Sequence, residues 1–189
     1  MNSWNSSAIS AVCIGLLLLL PCITRAQQAG VLLPPGVSSA IEKAIPGATV
    51  VTLEDIDAKA CSPVPSSPGI VQGDFNGDNH PGFAVLLRAG ETGKIVDWQG
   101  RKLKEIRYAF AIFLSDGKSG FQTKLVRRFI DFAPLGAFID LQAPGKVRNR
   151  DENRDVVIRN PAVILVFCEK SASVYYISHN HVRTVPIAD

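Results

Sequence analysis

The segment GDFNGDNHPGFAVLL, which begins at Gly73, places oxygen-bearing side chains at alternate positions: Asp74, Asn76 and Asp78. Calcium prefers about six to eight oxygen ligands, and an extended turn directs alternate side chains to one side. The pattern therefore predicts either a calcium loop or an Asx turn, in which carboxylates accept backbone N–H groups. An EF-hand is excluded because its sixth and twelfth positions require glycine and glutamate, where this chain has Asn79 and Val85.

The three histidines offer a different metal chemistry. His179 and His181 flank Asn180 in the run HNH, as they would in some metal-dependent nucleases. Such a site also needs further ligands and a general base around a phosphate. Two histidines separated by one residue across a tight turn need not converge, so a solvated turn is favoured.

Two common hydrolase signatures, G-x-S-x-G and H-E-x-x-H, are absent from the sequence. Carboxylates are plentiful, but spacing alone does not pair them as acid and base. A cell-envelope hydrolase with an unrecognised active site therefore stays open as an alternative function.

Residues 1–26 have the composition of a secretory signal peptide, with a polar start, an apolar core and a small-x-small ending before Gln27. The protein is therefore predicted to be periplasmic or secreted. An uncleaved anchor and a lipoprotein, suggested by the run LLPC, are the alternatives. The chain after residue 26 contains no apolar run long enough to predict a transmembrane segment.

Removal of the leader leaves Cys61 and Cys168, which an exported protein would most simply join in a disulfide. Without a C-x-x-C motif or a nearby histidine, zinc binding and redox chemistry are disfavoured. The whole chain has 20 basic and 17 acidic side chains. So small an excess argues against a nucleic-acid partner.

The pattern after the leader predicts a linker over 27–36 and then one domain over 37–189 of the α+β class. Val37 to Ile45 reads as a short amphipathic helix, with Ser39 and Glu42 at capping-box spacing. Apolar, β-rich runs follow and predict one mostly antiparallel sheet. The runs begin at residues 48, 83, 106, 121, 162, 172 and 181.

The loop DFNGDNHPGFAVL resembles the loop of FG-GAP and VCBS repeats, D-x-[DN]-G-D-G-x-x-D before an apolar strand. The segment 110-FAIFLSDGKSGFQ-122 resembles the second hairpin of the same unit, so the resemblance covers residues 73–122. It implies a calcium site formed by three side chains and one carbonyl. These ligands are Asp74, Asn76 and Asp78, and the backbone carbonyl of His80.

Two departures weaken the expected calcium site. Asn79 stands where the family loop prefers glycine. The final aspartate of the family loop falls at Gly82, and calcium affinity decreases as carboxylates are removed. Asp116 or Asp97 would have to replace it. No second copy of the loop occurs, so a single FG-GAP-like hairpin unit is expected rather than a full propeller, which needs about four or more blades.

The sequence thus predicts an exported, non-enzymatic domain with a weak or vestigial calcium loop. Its partner would be an unknown protein or envelope component. Trp98, beside Gly100 in a polar segment, is the candidate exposed aromatic for partner binding.

Overall fold

The structure, a computed structural model, describes residues 33–118 and 120–188. The predicted signal peptide and most of the predicted linker lie outside these residues. No helix in the described part is both long and apolar enough to cross a membrane. The elements in chain order are α1 (Pro35–Ala44), β1 (Thr49–Val50), a 3-10 helix (Leu53–Asp55), β2 (Ile70–Gly73), β3 (Gly82–Trp98), β4 (Arg101–Ser115), β5 (Phe121–Ala133), β6 (Ala137–Gln142), β7 (Gly145–Asn149), β8 (Arg154–Ile158), β9 (Ala162–Phe167), β10 (Ser171–Ser178) and β11 (His181–Ala188).

The described strands form three antiparallel sheets. The first has the order β1-β3-β4-β5, with β2 also paired to β3, and the second has the order β11-β10-β9-β6. β7 and β8 form a separate hairpin. The prediction of mostly antiparallel sheet with one short helix is confirmed, but the prediction of a single sheet is wrong. Strands with two apolar faces must be covered on both sides. The apolar pattern of the sequence does not show whether a helix or a second sheet provides that cover, and here a second sheet covers one side.

The first and second sheets pack face to face, and we call this pair of sheets the sandwich. The largest core lies between them. Side chains from β4 face side chains from the second sheet across this core. Its members include Tyr108, Phe110, Ile112, Ile139, Leu165 and Tyr175. The rings of Phe110 and Tyr175 meet across the two sheets with centroids 4.8 Å apart. Face-to-face burial of this kind is the main stabilising contribution to a sandwich.

Helix α1 covers the other face of the first sheet, with Val37 and Ile41 packed on β3 and β4. The helix begins at Pro35, inside the predicted linker, because proline at a first helical position has the required φ and lacks only an unneeded donor. The predicted capping box is not formed. Glu42 instead accepts the N–H of Gly47 at 3.1 Å, just after the helix ends.

The hairpin of β7 and β8 covers part of the outer face of the second sheet. Val147 and Ile158 pack there against Val174 and Val185. Tyr176 lies on this face and Tyr175 in the sandwich, as expected for neighbours in a strand. Both outer faces of the sandwich are therefore partly covered.

The two longest strands continue beyond the sandwich. Pairing of β4 with β5 ends at Lys104 and Ala133, and β1 pairs with β3 only as far as Arg88. Beyond these points β3 and β4 form a two-stranded ribbon, and we call residues 94–104 the arm. Register shifts interrupt the β3 side of the ribbon after Arg88 and after Glu91. Gly90 and Gly93 lie there at φ 116° and 84°, which side chains rarely tolerate.

A disulfide joins Cys61 to Cys168, with a Cα–Cα distance of 5.2 Å. It ties the proline-rich loop after β1 to the end of β9 and closes a sequence separation of 107 residues. The predicted cysteine pairing is therefore present. A disulfide of this kind weakly favours an oxidising, extracellular environment.

Candidate functional site

The loop between β2 and β3 folds around the carboxylate of Asp74. Its Oδ1 accepts the backbone N–H groups of Gly77 and Asp78, at 2.8 and 3.1 Å. Its Oδ2 accepts the N–H of Asn79 at 2.9 Å, and Asn79 has a φ of 64°. The residue that resembles the first calcium ligand thus satisfies three donors of its own loop.

Asp78 closes the second half of the same loop. Its Oδ1 accepts the N–H of His80 at 2.8 Å, and its Oδ2 accepts the Nδ2 of Asn76 at 2.6 Å. The hydrogen bond from the His80 backbone, followed by that from Asn76, lowers the pKa of Asp78 below its ordinary value. The four residues implied by the resemblance therefore lie together, and all four take part in hydrogen bonds within the loop.

The turn between β4 and β5 lies beside this loop, because the ring of His80 is next to Gly117. Asp116 accepts the N–H groups of Lys118 and Gly120 on Oδ1, at 2.9 and 3.0 Å. These bonds, with Lys118 the larger cause, lower the pKa of Asp116. The carboxylate that was expected to replace the missing ligand is therefore engaged in its own turn.

Gly82, where the family loop has its last aspartate, has no room for a side chain. A Cβ built there would lie 2.9 Å from the carbonyl oxygen of Phe113 and 3.0 Å from the ring of Phe75. Phe75 is buried and anchors the loop in the core, against both Gly82 and its β-sheet partner Gly73. Packing of Phe75 thus explains the missing carboxylate.

The carboxylates near the loop are not gathered into one group. Across residues 33–118 and 120–188, no three His, Cys, Asp or Glu side chains are grouped to hold a metal. The other suggested substitute, Asp97, accepts the N–H of Gly100 at the tip of the arm. The hydrogen bonds that Asp74 and Asp78 accept are those of a self-contained Asx turn.

A cleft of about 720 Å³ lies beside the disulfide, between the proline-rich loop and the outer face of β6 and β9. Its floor is apolar, with Phe138, Ile164 and Val166. Three charged side chains line it: Lys59, Asp140 and Glu169. Sequence reasoning missed this cleft, because its walls are far apart in the chain and are joined only by the disulfide and the strand register.

Of the remaining histidines, His179 lies in a turn and His181 is the first residue of β11. His179 and Asn180 connect β10 to β11, both with positive φ, and the Nδ1 of His179 lies 3.1 Å from the Oγ of Ser178. Histidine is also absent from the lining of the cleft. The arrangement is that of a solvent-facing hairpin turn.

Trp98 lies at the very end of the arm, directly opposite Arg101. It is 56% exposed, and Ile95 is 64% exposed. Because side chains alternate along strands, Val96, Trp98 and Leu103 share one face of the arm, and Ile95 points to the other. The arm thus displays apolar side chains that the core does not use.

No family model, curated protein or solved structure matches the chain. The resemblance to FG-GAP and VCBS repeats therefore rests on residues 73–122 alone.

Proposed function

We propose that this protein is an exported, non-enzymatic binding domain that contacts an envelope component or protein through its arm. The sandwich, locked by the disulfide, serves as the rigid support. The loop at residues 74–80 is a vestigial FG-GAP-like calcium loop that now works as a structural turn.

The observation that carries this proposal is the exposure of Trp98 at the end of the arm. A tryptophan normally contributes its large area to a core or an interface. Here the sandwich leaves it in solvent, on an arm whose two strands are held together by four residue pairs between β3 and β4. Exposed aromatics on rigid supports are typical of binding hot spots.

A hydrolase in the cleft remains the second candidate, because the cleft gathers Lys59, Asp140 and Glu169 near an apolar floor. Covalent catalysis needs a nucleophile within hydrogen-bond reach of a base. Ser62 carries the hydroxyl that lines the cleft. Among the residues that the structure describes, its side chain forms no hydrogen bond with Lys59, Asp140 or Glu169. The arm therefore supports binding better than the cleft supports catalysis.

The experiment compares binding of the purified chain to an isolated native envelope fraction. We expect Trp98→Ala to reduce sedimentation with that fraction at least tenfold. Val157→Ala, at a residue of β8 that is 60% exposed, should leave it unchanged. Equal retention of both variants would contradict the proposal. Loss of a hydrolytic activity in Asp140→Asn, with unchanged sedimentation of Trp98→Ala, would favour the cleft.

Calcium is tested separately by calorimetry and thermal unfolding with millimolar calcium, with magnesium as the control. A vestigial loop predicts no binding heat and no increase in Tm. A calcium-specific increase in Tm that disappears in Asp78→Asn would show instead that the loop rearranges to bind metal.

A further inference from the structure

The arm concentrates the positive charge of the protein. It contains four basic side chains and one acidic side chain, which is a net charge of +3. The whole chain has 20 basic and 17 acidic side chains, so the remainder has 16 of each. The basic residues of the arm are Lys94, Arg101, Lys102 and Lys104.

Two of these cations have partners at the base of the arm. Lys104 lies 3.3 Å from Glu91, and Lys94 lies 4.0 Å from Glu105. Both lysines are well exposed, and such surface pairs contribute little and are readily exchanged. Arg101 and Lys102 at the tip form no ion pair in the described part of the chain. The charge that faces away from the sandwich is therefore positive.

Apolar side chains accompany this charge. Trp98 and Val96 lie on one face of the tip and Ile95 lies on the other. Both faces of the tip therefore carry apolar side chains. Ile130, also exposed, continues the face of Trp98 onto β5 through its pairing with Arg107. Tryptophan next to lysine and arginine is the combination found where proteins meet the headgroup region of a membrane.

The shape of the arm favours a lipid surface over a protein partner. Arg101 to Leu103 extend past the end of β5 by about 10 Å at the usual rise per residue. The arm has eleven residues, whereas a stable protein interface uses roughly 20–30 on each side. A narrow, convex tip does not offer that area, but it is suited to insertion among headgroups.

We propose that the arm docks the protein on an anionic phospholipid surface, with Trp98 and Ile95 inserted at headgroup depth and Arg101, Lys102 and Lys104 on the phosphates. This inference rests on the proposed function and names the chemistry of the partner. Binding combines apolar insertion with an attraction that salt weakens.

The experiment uses the full chain and sedimentation with two kinds of vesicle, phosphatidylcholine alone and phosphatidylcholine with phosphatidylglycerol. We expect binding only to the anionic vesicles and weaker binding as salt is raised. The double variant Lys102→Glu, Lys104→Glu is expected to bind at least about 30-fold more weakly, since each cation near such a surface contributes about a factor of five. Lys146→Glu with Lys170→Glu, two exposed lysines elsewhere, has the same net charge and should bind like the wild type.

A second matched pair tests the apolar part. Trp98→Ala with Ile95→Ala should weaken binding at least tenfold, and Val157→Ala with Leu141→Ala, two exposed side chains elsewhere, should not. In a chain carrying Trp4→Phe, Trp98 is the single tryptophan, and its emission should shift to the blue on anionic vesicles alone.

Equal binding to neutral vesicles, or binding unchanged by both arm double variants, would overturn the proposal. If Trp98 is needed for binding to the envelope fraction but vesicles are not bound, the lipid inference fails and the binding function stands. If Trp98 is needed for neither, both fail.

Discussion

The inner and outer halves of the β3–β4 hairpin share one backbone ladder but have opposite surroundings. In the inner half, Leu86 and Phe110 are fully buried against the second sheet. Helix α1 covers the opposite face of the first sheet. In the outer half, Ile95 and Trp98 are more than half exposed. Apolar side chains are thus enclosed by packing in one half and left largely in solvent in the other. The sandwich should therefore determine stability, and the arm should determine binding.

Loss of the disulfide should have the largest effect, and only on the sandwich. Cys61→Ala with Cys168→Ala is expected to lower the free energy of unfolding by roughly 4–5 kcal/mol, because the bridge restricts a long loop of the unfolded chain. Denaturant unfolding measures this change. Vesicle binding by the fraction that stays folded should be unchanged, and a loss below about 1 kcal/mol would show that the bridge contributes little.

Restoring the family aspartate should be nearly as damaging. Gly82→Asp would place a carboxylate against Phe75 and the Phe113 carbonyl, so we expect a loss of about 4 kcal/mol without any gain in calcium binding. Gly136→Asp is the control, because a Cβ at Gly136 meets no atom within 4 Å. Similar unfolding midpoints for the two variants would contradict the packing explanation.

Truncating one residue in each half tests the comparison directly. Leu86→Ala should lower the free energy of unfolding by about 3 kcal/mol, because it leaves a cavity in the sandwich. Ile95→Ala should change it by less than about 0.5 kcal/mol, because the side chain is in solvent. A large loss for Ile95→Ala would mean that the arm also supports the fold.

The smallest effect concerns pH and the two turns that neighbour the inner half. Asp78 and Asp116 have lowered pKa values in the folded protein, so their contribution is present above the ordinary value of 3.8. It should be lost as pH falls below that value, because the unfolded chain then binds protons first. Unfolding midpoints of the double variant Asp78→Asn, Asp116→Asn should fall less steeply with acidity than those of the wild type. Parallel curves would contradict this assignment.

Much of the inner half could be predicted from the sequence. The runs at 83–88 and 106–115 alternate between two apolar faces, and the Asp-Gly turn near Gly117 indicates that β4 and β5 are antiparallel neighbours. The extensions of these strands into the arm were missed, since Thr92 to Leu103 mixes polar and apolar residues without the alternation of a half-buried strand. Pairing with a neighbour, rather than burial, makes them strands.

The sequence predicts which residues form the loop of the candidate site, but not whether they bind a metal. The spacing of Asp74, Asn76 and Asp78 indicates a tight loop equally well with metal and without it. Only the position of Phe75 against Gly82 distinguishes the two, and that contact depends on the pairing of β2 with β3. The cleft depends on contacts between distant segments and leaves no local pattern.

The two register shifts at Gly90 and Gly93 bear on self-association. Past Arg88, the described strands leave the outer edge of β3 without a neighbour, and a regular unpaired edge is a template on which further chains can add. Irregular, glycine-bent backbone interrupts the row of donors and acceptors that an incoming strand would need. The β3 edge of the long hairpin is therefore a poor template for an added strand.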